Sequence, residues 1–185
     1  MIKKKILLTS TGFENEVIKK LFLELLDVEA KDANVLFVTT AANDPGAVRI
    51  LSKCLDDLTA CNIPDSNITV YDMHKGMSVE ELSHYDAIYV CGGSTDYLAA
   101  RIEEVGMVSV IDKYVDNGGI YIGVSAGSIC ASGSRYKNGL NFIKNKLSVH
   151  CDNGTPDGSI NDEGEIFLTD NQAIYINGEE NVIFE

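Results

Sequence analysis

The 185 residues are enough for one compact domain with a substantial core and too few for two. Apolar residues make up 45% and charged residues 23%, an ordinary globular balance that excludes a disordered chain. With 28 acidic against 15 basic side chains, the formal net charge of −13 argues against nucleic acid or an anionic membrane as partner.

From the N-terminus, Lys3-Lys4-Lys5 is the dense basic run, and it reads as the solvated start of a strand over Ile6 to Thr9. That apolar stretch is too short for a signal-peptide core, and no run approaches the roughly 20 apolar residues of a membrane span. Phe13 to Leu26 follows with Val17, Leu21, Phe22 and Leu25 on a helical stripe. Val35 to Thr39 is a second buried strand, ended by the Asn43-Asp44-Pro45-Gly46 turn. Ala47 to Ala60 is a helix by the spacing of Val48, Leu51, Leu55 and Leu58. Ile68 to Tyr71 is a third strand, Val79 to Leu82 a short helix, and Ala87 to Cys91 a fourth strand stopping at Gly92-Gly93. Tyr97 to Val105 and Val108 to Val115 are helical, and Ile120 to Val124 is the fifth strand.

Strand–helix alternation with continuous apolar strands predicts a three-layer α/β/α fold built on a mainly parallel sheet. Right-handed crossovers then bring the loops after the strands to one edge, where such proteins bind ligands. Beyond a Gly/Asp/Asn-rich loop over 152–164, Ile166 to Thr169, Ala173 to Ile176 and Val182 to Phe184 read as short strands. Asp170-Asn171 and Asn177-Gly178 turns join them into a C-terminal antiparallel extension of the same single domain, 1–185.

Gly123-Val124-Ser125-Ala126-Gly127 matches G-x-S-x-G between an apolar strand and a helix start. A serine on such a tight turn projects its hydroxyl above the sheet edge, and glycines beside it admit close backbone approach. The following helix aims free N–H groups at the same point, so the Ala126 amide can stabilise an oxyanion formed when Ser125 attacks a carbonyl. Cys91-Gly92-Gly93-Ser94-Thr95 also ends a strand and opens a helix, and its backbone can supply the second donor. The structural alternative for both turns is an ordinary helix cap.

Three histidines are available as general base. His84 lies in a surface segment, and His74 follows the third strand. His150 ends the run Leu147-Ser148-Val149, which reads as the strand after the Ser125 helix and so brings it to the same edge as Ser125. An acid to orient the imidazole is not evident. Residues 126–149 hold no Asp or Glu, only Asn138, Asn141 and Asn145, while Asp152, Asp157, Asp162 and Glu163 lie just beyond His150. None is singled out by spacing, and a Ser–His dyad stays open.

These residues resemble a known family. Gly123-Val124-Ser125-Ala126-Gly127-Ser128, Gly92-Gly93-Ser94-Thr95 and Ser148-Val149-His150 together resemble the dipeptidase E (α-aspartyl dipeptidase) serine peptidases, a group that includes cyanophycinases. The likeness runs from about Ile6 to the Leu168–Ile176 region. It implies a fold like that of class I glutamine amidotransferases, Ser125 as nucleophile, His150 as base, and Gly93 with Ala126 as oxyanion-hole donors. The family's characterised dipeptidase has an Asp between nucleophile and base, which this chain lacks, and a substrate-binding basic residue after the elbow, near which Arg135 falls.

The resulting expectation is a cytoplasmic serine peptidase that hydrolyses short peptides through an acyl-enzyme, with no cofactor, nucleic acid or membrane partner and with room for a homo-oligomer. A non-peptide amide or ester substrate, or an inactive binding protein on the same fold, are the alternatives. The acidic 152–164 loop fails the EF-hand pattern because Gly154 and Pro156 sit where ligands are needed, so no metal is expected. Cys54, Cys61, Cys91, Cys130 and Cys151 are odd in number and lack C-x-x-C spacing, which fits a reducing compartment. Cys130 and Cys151 read as packing residues.

Overall fold

Strands and helices alternate through the first two thirds of the chain as β1 (Lys5–Thr9), α1 (Glu16–Leu25), β2 (Val35–Val38), α2 (Pro45–Val48), α3 (Leu51–Thr59), β3 (Ile68–Tyr71), α4 (Val79–Leu82), β4 (Ala87–Val90), α5 (Thr95–Glu104), α6 (Met107–Asp116), β5 (Ile120–Val124) and α7 (Ala126–Ala131). The last third holds β6 (Lys146–Ser148), β7 (Gly158–Ser159), β8 (Glu165–Phe167), β9 (Ala173–Asn177) and β10 (Glu180–Phe184). This computed structural model describes residues 4–133, 139–161 and 163–185.

Eight strands form one sheet in the order β3-β2-β4-β5-β1-β9-β10-β7. The first five of these run parallel, and β9, β10 and β7 close the far side antiparallel. Side chains alternate between faces, as the two-residue period of a strand requires. Ile6, Leu8, Leu36, Val38, Ile88 and Val90 pack with Leu82 of α4, Leu98 and Ile102 of α5, Ile111 and Val115 of α6 and Cys130 of α7. Leu7, Val35, Phe37, Tyr89, Ile120 and Ile122 pack on the opposite face with Ile18, Phe22 and Leu25 of α1 and Cys54 and Leu58 of α3. Both faces of β2, β4 and β5 are therefore covered, which is why these strands carry no polar alternation. Among the described residues no helix is long and apolar enough to cross a membrane.

Two helices differ from their sequence expectation. Helix α1 starts at Glu16 rather than Phe13, because the Asn15 side chain accepts the Ile18 N–H as an N-cap and Phe13 is buried in the core instead. The expected Ala47–Ala60 helix is split at Arg49-Ile50 into α2 and α3, with Asp44 capping α2 through the Gly46 and Ala47 amides. The stripe is also shifted: Val17 and Val48 are exposed, and Ile18 and Cys54 face the sheet.

The C-terminal extension needs a larger correction. Strands β9 and β10 do form an antiparallel hairpin on β1, but β8 is not its third member. Instead β8 pairs in parallel with β6 in a separate two-stranded sheet. Asp170-Asn171 is thus not a hairpin turn; it is the point where the chain leaves the small sheet for the large one.

One buried carboxylate anchors the segment after β1. Asp57, 8% exposed, accepts the Phe13 N–H at 2.9 Å and the Tyr89 hydroxyl at 2.6 Å. Gly12 passes so close, at φ +93, that a Cβ there would lie 2.2 Å from Asp57 Oδ2. Burial pushes the Asp57 carboxyl above its ordinary range; the Tyr89 and Phe13 hydrogen bonds and the Lys53 charge pull it back down, and Glu14 pushes it up. A carboxyl raised in the native state stabilises the fold at low pH, and that contribution is lost as pH rises through the raised value. The stability of wild type relative to Asp57→Asn should therefore fall from about pH 4 upward and level off once the carboxyl is ionised in both states. Urea unfolding of both proteins across a pH series measures it, and a difference that stays constant from about pH 4 to about pH 7 would refute the assignment.

Candidate functional site

Strand β5 ends in the buried Val124, and the chain reverses at Ser125 to enter α7 directly. Ser125 has φ 48 and ψ −105, a conformation that side chains adopt at a cost of roughly 1–3 kcal/mol. The glycines of the motif explain how the turn fits. A Cβ on Gly123 would lie 2.7 Å from the Ser128 nitrogen, and one on Gly127 would lie 2.4 Å from the Val90 carbonyl oxygen. The turn is tied down by backbone and by Ser128. The Ser125 N–H donates to Thr9 O at 3.0 Å, while the buried Ser128 hydroxyl accepts the Thr9 N–H at 3.0 Å and lies 2.7 Å from Thr9 O and 2.8 Å from Gly123 O.

The Gly92-Gly93 turn lies against this serine. A Cβ on Gly92 would sit 3.1 Å from Ser125 Cβ and 3.8 Å from its Oγ. Gly93 has φ +137, and a Cβ there would strike the Ala41 carbonyl oxygen at 2.1 Å, so the close approach demands glycine twice over. The neighbouring Ser94 N–H donates to Ala41 O at 2.8 Å and locks the turn to the end of β2. Ala126 is the first residue of α7, where a backbone N–H has no partner within the helix.

His150 meets Ser125 from the other side: its Nε2 lies 3.1 Å from Ser125 Oγ. Its Nδ1 lies 2.8 Å from Asp170 Oδ1. An acid therefore completes the serine–histidine pair, and it comes from a place that reading along the chain did not single out. The parallel register of β6 and β8 explains the meeting. Ser148 pairs with Phe167, and the ladder continues as Leu168 N–H to Ser148 O and Cys151 N–H to Leu168 O, at 2.9 and 3.0 Å. His150, two residues past Ser148, and Asp170, three past Phe167, therefore emerge at the same end of the small sheet. Parallel pairing of strands separated by 16 intervening residues leaves no local sequence signal; the only available hint was an Asp at the end of a short β-rich run.

The other candidates fall elsewhere. Asn145 Nδ2 donates to Glu163 O at 2.8 Å, Asn141 Nδ2 donates to Gly139 O at 2.8 Å, and Asp157 accepts from Gln172 Nε2 at 3.1 Å. Among the described residues, the His150 ring bonds to Ser125 and Asp170, and not to Asp152 or Glu163. Arg135, Asn138 and Asp162 lie outside the described residues. His84 is exposed beside α4, and His74 pairs with Asp72 at 2.6 Å after β3. All five cysteines are free, and burial pushes the Cys130 thiol up to about 12, in keeping with a packing role.

A strained serine between an imidazole and a glycine turn, at the carboxyl end of a strand in a mainly parallel sheet, is the arrangement of a serine hydrolase on an α/β fold. The sequence places it more closely. The chain belongs to peptidase family S51, whose sequence model matches residues 6–151, and it is a serine peptidase of the dipeptidase E group. No curated protein matches it at a significant level. Among solved structures, it is similar to a protein of Listeria monocytogenes EGD-e provisionally named a peptidase E, at 22% identity and a TM-score of 0.75 over 98% of each chain. It is also similar to a peptidase from an acI-B1 Actinobacterium, at 16% identity and a TM-score of 0.69 over 96% of this chain and 85% of that one. At those identities the likeness is one of fold.

The strain at Ser125 can be measured. Replacing Ser125 with Gly releases the turn, while the gain is reduced by about 0.4–1 kcal/mol of unfolded-chain entropy. Ser125→Ala keeps the strain and also loses the hydroxyl. Ser125→Gly should thus be more stable than Ser125→Ala by about 1 kcal/mol in urea unfolding; a Gly variant less stable than the Ala variant by about 0.4–1 kcal/mol, the entropy difference alone, would mean that the turn carries no strain.

Proposed function

We propose that the chain hydrolyses short peptides through an acyl-enzyme on Ser125, with His150 as general base and Asp170 as the acid that orients it. The observation that carries this reading is the continuous relay from Ser125 Oγ to His150 Nε2 at 3.1 Å and from His150 Nδ1 to Asp170 Oδ1 at 2.8 Å. Asp170, by accepting a hydrogen bond from Nδ1–H, selects the tautomer whose Nε2 carries the lone pair. Nε2 then takes the Ser125 proton as Oγ attacks the scissile carbonyl. Charge on that carbonyl oxygen would be met by the Gly93 and Ala126 amides, one on each side of the serine. The imidazolium, held by the Asp170 carboxylate, returns its proton to the leaving amine. Water repeats the cycle on the ester, with His150 again as base.

A peptide substrate is supported by the peptidase names of both structural neighbours. The His150 and Asp170 side chains are 49% and 54% exposed, so the base and its acid are open to a substrate arriving from solvent.

An active-site fluorophosphonate should label Ser125 alone, as located by mass spectrometry. Ser125→Ala should abolish labelling and lower the rate on a dipeptide panel by roughly 10⁴- to 10⁶-fold. A folded protein that leaves Ser125 unlabelled would remove the serine mechanism. Asp170→Asn, which keeps the shape but favours the wrong tautomer, should lower kcat by on the order of 10⁴-fold with little change in KM. Unchanged kcat in that variant would reduce the site to a Ser–His dyad.

A further inference from the structure

We infer that the segment from Ser10 to Asn15 is the platform that positions the base and its acid, and that Thr11 and Asn15 are positioning residues which set Asp170 against His150. The inference rests on the Ser125–His150–Asp170 reading and adds what holds that relay in register. His150 and Asp170 belong to the small β6–β8 sheet and its exit, whereas Ser125 belongs to the main sheet. Something must fix one relative to the other, because a shift of about 1 Å at a catalytic pair is worth up to about a hundredfold in rate.

The hydrogen bonds that do so converge on one segment. The buried Ser10 hydroxyl accepts the His150 backbone N–H at 2.6 Å and so holds a residue that sits at φ 58. Thr11 Oγ1 donates to the Asp170 carbonyl oxygen at 3.0 Å. Asn15 Nδ2 donates to the Asn171 carbonyl oxygen at 3.0 Å. Three consecutive attachments thus run from the end of β1 to the base, to the acid and to the residue after the acid.

The segment is itself rigid, which a platform must be. At its start, Thr9 Oγ1 donates to Gly123 O at 3.1 Å and accepts the Gly12 N–H at 3.0 Å, tying it to the strand that carries Ser125. In its middle, the Phe13 N–H is held by the buried Asp57. At its end, Asn15 Oδ1 caps α1 through the Ile18 N–H at 3.0 Å. One Asn15 side chain therefore joins the helix through its oxygen and the acid-bearing turn through its nitrogen.

That division of labour allows a clean test. Asn15→Asp keeps a capping oxygen but removes the donor, and Thr11→Val keeps the shape but removes the hydroxyl. Thr11→Ser keeps the donor. The readout is the second-order rate of Ser125 modification by a fluorophosphonate, with thermal unfolding recorded for each variant. Thr11→Val and Asn15→Asp should each slow modification on the order of tenfold. Thr11→Ser should restore the rate. In an Asp170→Ala background Thr11→Val should cost nothing further, because it acts through Asp170. Wild-type rates in Thr11→Val and Asn15→Asp, with Asp170→Ala impaired, would overturn the inference alone. An undiminished further loss in the Asp170→Ala background, or slower rates that only follow melting temperature, would also overturn it, leaving a purely structural role. Asp170→Ala with a wild-type rate would instead overturn the relay reading, and the inference with it.

Discussion

The site depends on how tightly α7 leaves β5. No side chain fits at 123 or 127, because the backbone of α7 returns within van der Waals contact of β5 and of the neighbouring β4. That closeness forces Ser125 into a positive-φ turn and brings the first amide of α7 to the same point. Strain of this kind persists only where the surroundings over-determine it. Here the surroundings are the buried Ser128 hydroxyl and the Thr9 backbone, which hold the turn from below.

Around that turn the fold divides the candidate site between two sheets. The main parallel sheet supplies the serine from β5 and the glycine amide after β4, both rigid because β4 and β5 are buried on both faces. The small β6–β8 sheet supplies the histidine and, at its exit, the aspartate. The loop after β1 touches both, and β1 pairs with β5 on one side and with β9 on the other. The elements that meet the reacting centre are thereby referenced to one central strand.

The acidic 152–164 loop belongs to the same scaffolding. Gln172, 3% exposed, donates to Thr155 O at 2.8 Å and to Asp157 Oδ1 at 3.1 Å, and a Cβ on Gly154 would strike its side chain. Thr155 in turn hydrogen-bonds both polar groups of the Phe167 backbone in β8. Thr155 thus braces the strand leading to Asp170, and Asp157 holds the Gln172 side chain beside it.

The amino-acid sequence by itself determined the parallel sheet and the position of the serine. Continuous apolar runs specify strands buried on both faces, and G-x-S-x-G is legible because its glycines answer a steric demand only a few residues away. His150 was reachable too, by elimination among three histidines, although its strand lies outside the main sheet. Helix ends moved by a few residues where Asn15 and Asp44 captured backbone amides, a competition that hydrophobic spacing does not register. Only the tertiary structure decided the acid. Asp170 reaches His150 because β6 and β8 pair in parallel across an intervening segment whose strand β7 joins the large sheet, and because β8 abandons the hairpin that its turn residues suggested. Strands β6 and β8 are each three residues long, too short to carry a side-chain period that would name its partner.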